Sequence, residues 1–242
     1  MRPDEIPPDG DEPVEADALP ATVRGSVVHE LLERLDFRDP VPPAPEAVAR
    51  LIESYREEAR DDEVAELIDM VERFAASPTC ARLARAERAH TELPFSFELP
   101  TGGGRGLLVN GIVDVHAREA GGTLVVDYKS DRLGDLQPAE LVESSYATQR
   151  IVYALAALRS GAESVEVAYV LLERPEDVVA ATYRAADAED LERRLRELAA
   201  GVVEGRFEPS PAPWRGLCGD CPGQPALCSW EPERTLAPEP AR

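Results

Sequence analysis

Lysine is almost missing from this sequence. The 242 residues contain 26 lysines and arginines together, and Lys129 is the only lysine among them. The arginine side chain ends in a planar guanidinium group that stays protonated. The lysine side chain ends in a compact ammonium group whose pKa can shift when it is buried. A position that keeps lysine in an arginine-rich chain is therefore a candidate for a chemical role. The simpler hypothesis is that one lysine survived by chance.

Other absences exclude whole classes of protein. No apolar run approaches the roughly 20 residues that a membrane-spanning helix needs. The sequence has no Gly-x4-Gly-Lys-Ser/Thr loop, so it carries no P-loop motor of its own. Residues 1–20 contain seven acids and five prolines, which is unlike a signal peptide and predicts a disordered tail. A cytoplasmic location is the default expectation.

An excess of positive charge is also missing, since the net charge is −21. Residues 1–20 contribute −6 (seven acids, one Arg) and 231–242 contribute −1 (three acids, two Arg), which leaves −14 on the rest. Nucleic-acid binding is usually driven by lysine and arginine displacing counterions, so weak binding is expected unless a basic strip or a partner contributes. Arg82, Arg85 and Arg88, three residues apart, could form such a strip or simply a solvated helix face.

One apolar strand ends in a carboxylate and an amine. In Leu124–Ser130, side chains alternate between faces, so Asp127 and Lys129 project together. Asp114 lies in a preceding β-rich run, and Ala120-Gly121-Gly122 between the runs is typical of a hairpin turn. If the strands pair, the two carboxylates converge. Such oxygens suit Mg²⁺ or Mn²⁺, and the ammonium could orient or deprotonate a water or stabilise an anionic transition state.

The remaining pattern predicts alternating helices and strands. Helices are expected from Thr22 to near Asp39, across 46–76 as two helices or one broken near Asp61, and from Ser77. Strands over 91–99, 106–117 and 123–130 should form a meander. The pattern then predicts helices over 138–144 and 145–159, strands over 164–173 and 178–184, and a helix over 187–203.

Three helical residues stay open between packing and chemistry. His29 lies beside the apolar stripe of the first helix, where a packed core histidine is the ordinary explanation. Gln149 and Tyr153 are four residues apart and share a helix face. They could hold a phosphate or the lysine, or belong to the core.

A cysteine cluster near the end of the chain is the second chemical signal. Cys218, Cys221 and Cys228 are spaced Cys-x2-Cys-x6-Cys, and three thiolates suit zinc or an iron–sulfur cluster. A closed site needs a fourth ligand, and the only other cysteine, Cys80, is far upstream. A disulfide is less expected in a cytosolic chain, and free thiols remain an alternative.

Taken in order, these residues resemble a known family. Their order is similar to that in the RecB-type nuclease domain of the PD-(D/E)XK superfamily, as in the AddA and AddB helicase–nucleases. The matching residues are His29, Glu92, Asp114, Asp127-x-Lys129 and Gln149-x3-Tyr153. Arg24 to His29 matches the family's glycine-plus-histidine helix, Gly111 to Asp114 its first acidic strand, and Val126 to Lys129 its signature. The resemblance covers about residues 22–230.

The resemblance implies a fold and an organisation. The fold is α/β, with a restriction-endonuclease-like central mixed β-sheet flanked by helices, a helical N-terminal part and a Cys-containing C-terminal segment. The nuclease domain would span 21–230, with the Cys segment at 209–230, between disordered tails at 1–20 and 231–242. No cysteine precedes His29, unlike in the family's iron–sulfur members, so the metal at the cysteines is left open.

The resemblance also implies an activity and its residues. It implies Mg²⁺- or Mn²⁺-dependent hydrolysis of DNA, as an exonuclease rather than an endonuclease, beside a superfamily 1 helicase in double-strand-break repair and recombination. The metal ligands would be His29, Asp114, Asp127 and the Tyr128 carbonyl. Lys129 would lie near the attacking oxygen, and Glu92, Gln149 and Tyr153 would complete the catalytic set. The alternative is a catalytically inactive module that binds DNA or a helicase.

The substitution Lys129→Arg tests whether the single lysine is chemical. It is expected to reduce Mg²⁺-dependent cleavage of linear DNA on the order of 100-fold or more, because a guanidinium is bulkier and does not give up its proton. Folding should be unchanged in circular dichroism and melting, since charge and apolar stem are both kept. Cleavage within a few-fold of wild type would mean that the lysine is an accident of composition.

Overall fold

The computed structural model describes residues 19–102, 105–206, 208–219, 221, 223 and 227–238. Residues 1–18 and 239–242 of the predicted tails, and residues 103 and 104, lie outside the described residues. The helices are α1 Ala21–Glu33, α2 Pro45–Ser54, α3 Asp61–Ala75, α4 Pro78–Leu83, α5 Pro138–Ser145, α6 Ala147–Arg159, α7 Ala188–Val203, α8 Arg215–Cys218 and α9 Pro232–Thr235. The strands are β1 Arg88–Gly102, β2 Arg105–Glu119, β3 Gly122–Lys129, β4 Ser164–Leu171 and β5 Val179–Arg184.

The five strands form one mixed sheet in sequence order. β1, β2 and β3 are antiparallel neighbours, β3 and β4 are parallel, and β5 returns antiparallel to β4. The parallel step is possible because α5 and α6 cross over between β3 and β4. The predicted mixed sheet flanked by helices is confirmed, and the predicted hairpin turn at 120–122 joins β2 to β3.

Helices cover both faces of the sheet. Helices α1 to α4 pack on the face that carries Leu124, Val126 and Tyr128, where Phe74 meets the Tyr128 ring at 4.8 Å between centroids. Helices α5 to α7 pack on the opposite face, which carries Val125 and Tyr169. β3 is therefore apolar on both sides, as expected of a central strand. No helix in the described part of the chain is long and apolar enough to cross a lipid bilayer.

The predicted division of 46–76 into two helices is confirmed, since α3 begins at Asp61, and Arg56 between the helices has a φ of 65°. Two boundaries differ from the sequence predictions. α1 ends at Glu33 rather than near Asp39, because Leu35 and Phe37 enter the core without continuing the helix. The predicted disordered tail at 231–242 contains α9, whose Thr235 is buried.

Arg82 of α4 acts in the fold and not in an open basic strip. Its guanidinium contacts the Glu119 carboxylate of β2 at 2.7 and 2.9 Å and the Glu166 carboxylate of β4 at 2.6 and 3.1 Å. These two acids flank β3, so one side chain fastens α4 across three strands. Arg85 and Arg88 are exposed, and only they could face a phosphate.

Arg82→Met is expected to lower the free energy of unfolding by about 1 kcal/mol, because two carboxylates lose their shared cation at a half-exposed site. Urea unfolding measures this. Arg85→Met, which removes the same charge from an exposed neighbour, is the matched control and should change stability by less than about 0.5 kcal/mol. Equal effects of the two substitutions would show that the Arg82 contacts do not stabilise the fold.

Candidate active site

One residue pair is missing from the β1–β2 ladder, and the sheet opens near it. β1 and β2 pair at Thr91 with Val115 and at Leu93 with Val113, but Glu92 and Asp114 between them do not pair. The β2–β3 ladder ends at Val115 with Val126. Val115 packs against the layer of α1 to α4, whereas Val113 packs toward α6. β1 and β2 therefore bend at the Glu92–Asp114 position, and a gap opens between β2 and β3 beyond it.

Glu92 marks the bend with an unusual backbone. Its φ is 48°, in the left-handed region that a glutamate rarely adopts. Such strained positions persist only where the surrounding structure fixes them, and they concentrate at functional sites.

Asp114 occupies the gap and replaces the missing ladder bond. Its Oδ2 accepts the Tyr128 N–H at 2.7 Å. Because the N–H and C=O of one strand residue point toward the same neighbouring strand, the Tyr128 carbonyl points toward β2 as well. The predicted ligand carbonyl therefore borders the same gap as the Asp114 carboxylate.

α1 brings His29 to the same carboxylate. The His29 Nδ1 lies 3.4 Å from Asp114 Oδ1, and the ring meets the Tyr128 ring edge-on at 6.0 Å. Burial lowers the pKa of His29, but the hydrogen bond to Asp114 and the charges of Asp114 and Asp127 outweigh burial and raise the pKa overall. The histidine is thus held at a carboxylate and is not only a packed core residue.

Two neighbours in α1 fix the position of that helix. Arg24 donates to the Ser130 carbonyl at 2.7 Å, just beyond the end of β3. A Cβ on Gly25 would lie 3.3 Å from Ser130 Oγ, so α1 approaches the end of β3 closely at this glycine, one turn before His29.

Three side chains converge as a possible metal group. Ligand atoms of His29, Glu92 and Asp114 all lie within 4.8 Å of one another, and within the described ranges no other set of three or more such residues does so. Burial, followed by the charges of Asp114 and Glu33, raises the pKa of Glu92. Asp127, a predicted ligand, stands outside this set, and Glu92 takes the third position.

Asp127 is buried beside the lysine. It is 1% exposed, and its Oδ2 lies 2.5 Å from Lys129 Nζ. Burial raises the pKa of Asp127 to about 6, the charge of Asp114 adds to this, and Lys129 and Tyr153 act in the opposite direction. Oδ2 is therefore compensated by the Lys129 ammonium, which keeps the buried carboxylate charge-paired.

Gln149 and Tyr153 form a hydrogen-bonded chain from α6 to Asp127. Gln149 Nε2 donates to Tyr153 Oη at 2.9 Å. Tyr153 Oη lies 2.9 Å from Asp127 Oδ1 and 3.1 Å from the Ile112 carbonyl, and its single proton serves one of them at a time. One hydroxyl thus joins β2 to β3 across the gap.

Comparison with known proteins decides the family. The sequence model of the PD-(D/E)XK nuclease superfamily matches residues 4–228. The chain belongs to this superfamily.

Relatives of this PD-(D/E)XK chain are much longer proteins. An ATP-dependent helicase/nuclease subunit from Bacillus velezensis is 32% identical over 151 residues, covering 56% of this chain and 12% of that protein. The protein of the same name from Carboxydothermus hydrogenoformans is 31% identical over 157 residues, covering 60% and 13%. A solved structure from Eubacterium rectale, provisionally named an exonuclease, has a TM-score of 0.46 at 12% identity, covering 81% and 72%. The chain thus matches only about an eighth of the length of these helicase/nuclease subunits.

Sequence reasoning missed the aromatic surroundings of the PD-(D/E)XK lysine. Lys129 Nζ lies 4.0 Å from the Tyr146 ring centroid and 5.7 Å from that of Tyr169. Tyr146 in turn donates to Asp131. Two signals were available: Tyr146 precedes Gln149 by three residues, about one helical turn, and Asp131 follows Lys129 by two.

The predicted thiolates are not brought together. Cys218 ends α8, Cys221 is exposed, and among the described residues their sulfurs and that of Cys228 do not form a metal group. Cys80 is 1% exposed on the buried face of α4 and is no candidate for the fourth ligand. Asp220 and residues 222 and 224–226 of this superfamily member lie outside the described residues.

Asp127→Asn is expected to stabilise the metal-free protein near pH 7.5. The pKa of Asp127 rises from 3.8 to about 6 on folding, so the folded state binds more protons between these values and ionisation costs stability above them. The gain should be about 3 kcal/mol at about pH 7.5 and should shrink as the pH falls toward about 4.

Urea unfolding with EDTA at several pH values measures this difference. Asp135→Asn, at an exposed loop position, is the control and should show no such trend. A stability gain that does not change with pH would contradict the assignment.

Proposed function

We propose that this chain is a metal-dependent deoxyribonuclease that hydrolyses phosphodiester bonds of DNA. The observation that carries the proposal is the convergence of His29, Glu92 and Asp114 within 4.8 Å, at the gap that also holds the Asp127–Lys129 ion pair. Membership of the PD-(D/E)XK nuclease superfamily supports the same reaction class.

The donor set fits a hard divalent cation. Mg²⁺ and Mn²⁺ prefer oxygen ligands, and the site offers the carboxylates of Asp114, Glu92 and Asp127 and the carbonyl of Tyr128. His29 adds a nitrogen ligand, which Mn²⁺ accepts. When bound, such an ion supplies Lewis-acid polarisation of a phosphate and lowers the pKa of water.

The remaining residues have separate roles in the proposal. Lys129 presents an ammonium beside Asp127, where it can neutralise charge on the scissile phosphate or exchange a proton with the attacking water. Tyr153 and Gln149 hold the Asp127 carboxylate. The Asp114 carboxylate accepts the Tyr128 N–H at the point where the two strands diverge.

We further propose exonuclease action beside a superfamily 1 helicase, in double-strand-break repair and recombination. The support is the similarity to proteins named as ATP-dependent helicase/nuclease subunits, together with the −14 charge of residues 21–230, which disfavours unaided DNA binding. Because chromosomal DNA is the proposed substrate, a cytoplasmic location is part of the proposal.

A time course on end-labelled linear duplex and on covalently closed circular DNA tests the proposal. With Mg²⁺ or Mn²⁺, wild type should shorten the linear DNA from its ends and leave the circle intact, and EDTA should stop the reaction. Asp114→Asn should reduce the rate on the order of 100-fold or more, because it removes a ligand charge.

Asp135→Asn, which removes an exposed carboxylate, should cut like wild type. Cleavage of the circle would replace the exonuclease by an endonuclease. Wild-type protein that binds DNA but cleaves neither substrate with either metal would favour the alternative, an inactive binding module.

A further inference from the structure

The ammonium of Lys129 has two kinds of neighbour. On one side is the Asp127 carboxylate, 2.5 Å away. On the other side is the face of the Tyr146 ring, 4.0 Å from Nζ to the ring centroid, with Tyr169 behind it at 5.7 Å. The lysine side chain is only 12% exposed. Ring and carboxylate together define where the charge lies.

The Tyr146 ring is itself held firmly. Its hydroxyl donates to the Asp131 carboxylate, with oxygens at 2.9 and 3.0 Å. Its ring stacks on Tyr169 at 5.8 Å between centroids and 22° between planes, and Tyr169 Oη donates to the Tyr146 carbonyl at 3.3 Å. Tyr146 also joins α5 to α6, which fixes its backbone. The ring is therefore a fixed surface and not a mobile side chain.

A fixed ring face suits a flexible cation. The face of an aromatic ring is the negative part of its quadrupole and attracts an ammonium, most strongly where water is scarce. A lysine stem has four rotatable carbons and gains no fixed direction from a single carboxylate. A second attractive surface restricts the ammonium to one position.

We propose that Tyr146 is the positioning residue for Lys129, with its ring face holding the ammonium beside Asp127 and with Asp131 and Tyr169 holding the ring. The role of Lys129 in cleavage rests on the proposed function. The contact itself does not, because it joins two side chains of the folded chain.

The kinetic consequence separates positioning from substrate binding. Tyr146→Leu removes the ring face and should lower kcat about tenfold with KM nearly unchanged, because Lys129 acts on the reacting phosphate. Tyr146→Phe keeps the ring face, loses the bond to Asp131, and should stay within about threefold of wild type. Rescue by phenylalanine is the signature of a ring face.

The single lysine gives a second readout that needs no activity. Protein labelled with ¹³C-lysine has one lysine Cε signal, since the sequence contains one lysine. In metal-free wild type and Tyr146→Phe, the ε-protons should lie upfield of the ordinary lysine position, under the ring. In Tyr146→Leu they should return to it. Tyr55→Leu, which removes another partly exposed tyrosine at the end of α2, should leave the signal in place and serves as the control.

A further variant covers a misfolded Tyr146→Leu. Pentafluorophenylalanine at position 146 keeps the ring shape but reverses its quadrupole, and kcat should again fall about tenfold relative to phenylalanine. Equal rates for the two rings would overturn the proposal.

The two readouts distinguish the possible failures. An ordinary lysine signal in wild type, or an unchanged signal in Tyr146→Leu, would overturn the contact. A signal that moves while kcat stays the same would overturn the positioning role and leave the nuclease function intact. A wild type that shows the upfield signal but never cuts DNA would overturn the proposed function, and with it the catalytic role of the contact.

Discussion

The hydrogen bond from the Tyr128 N–H to the Asp114 carboxylate is the constraint on which the site depends. A central strand cannot leave a buried N–H unpaired without a large cost, so β2 could not diverge from β3 if nothing replaced the ladder bond. The carboxylate makes that replacement at 2.7 Å. Where the strands diverge, residues from both helical layers meet, as His29 and Tyr153 do.

That divergence explains why residues so far apart in sequence converge. His29 comes from α1 on one face, and Tyr153 comes from α6 on the other. Lys129 and Tyr128, adjacent in β3, serve opposite faces because strand side chains alternate. The arrangement has a stability cost: Asp127 is buried with a raised pKa, and Glu92 holds a left-handed backbone. Both features are expected where function opposes stability.

Much of this could be predicted from sequence where the determinants are local. Alternation along β3 placed Asp127 and Lys129 together, and the glycine turn placed Asp114 beside them. The bend at Glu92 could not be predicted, because its left-handed φ comes from two strands that turn together. The Tyr146 face and the Arg82 contacts depend on tertiary neighbours. The end of α1 was misjudged because apolar residues in a turn can imitate one more helical turn.

The acidic character of the chain limits how strongly the proposed site can attract DNA. Many arginines lie in ion pairs with acids, as Arg82, Arg132 and Arg159 do, so their charge is largely neutralised within the protein. The attraction that draws DNA to most nucleases then has few sources on the described surface. At the gap itself, Lys129 is a source of positive charge, and a bound cation would add to it. A strand delivered by an attached partner needs no such surface, and this is why the charge balance and the helicase proposal support each other.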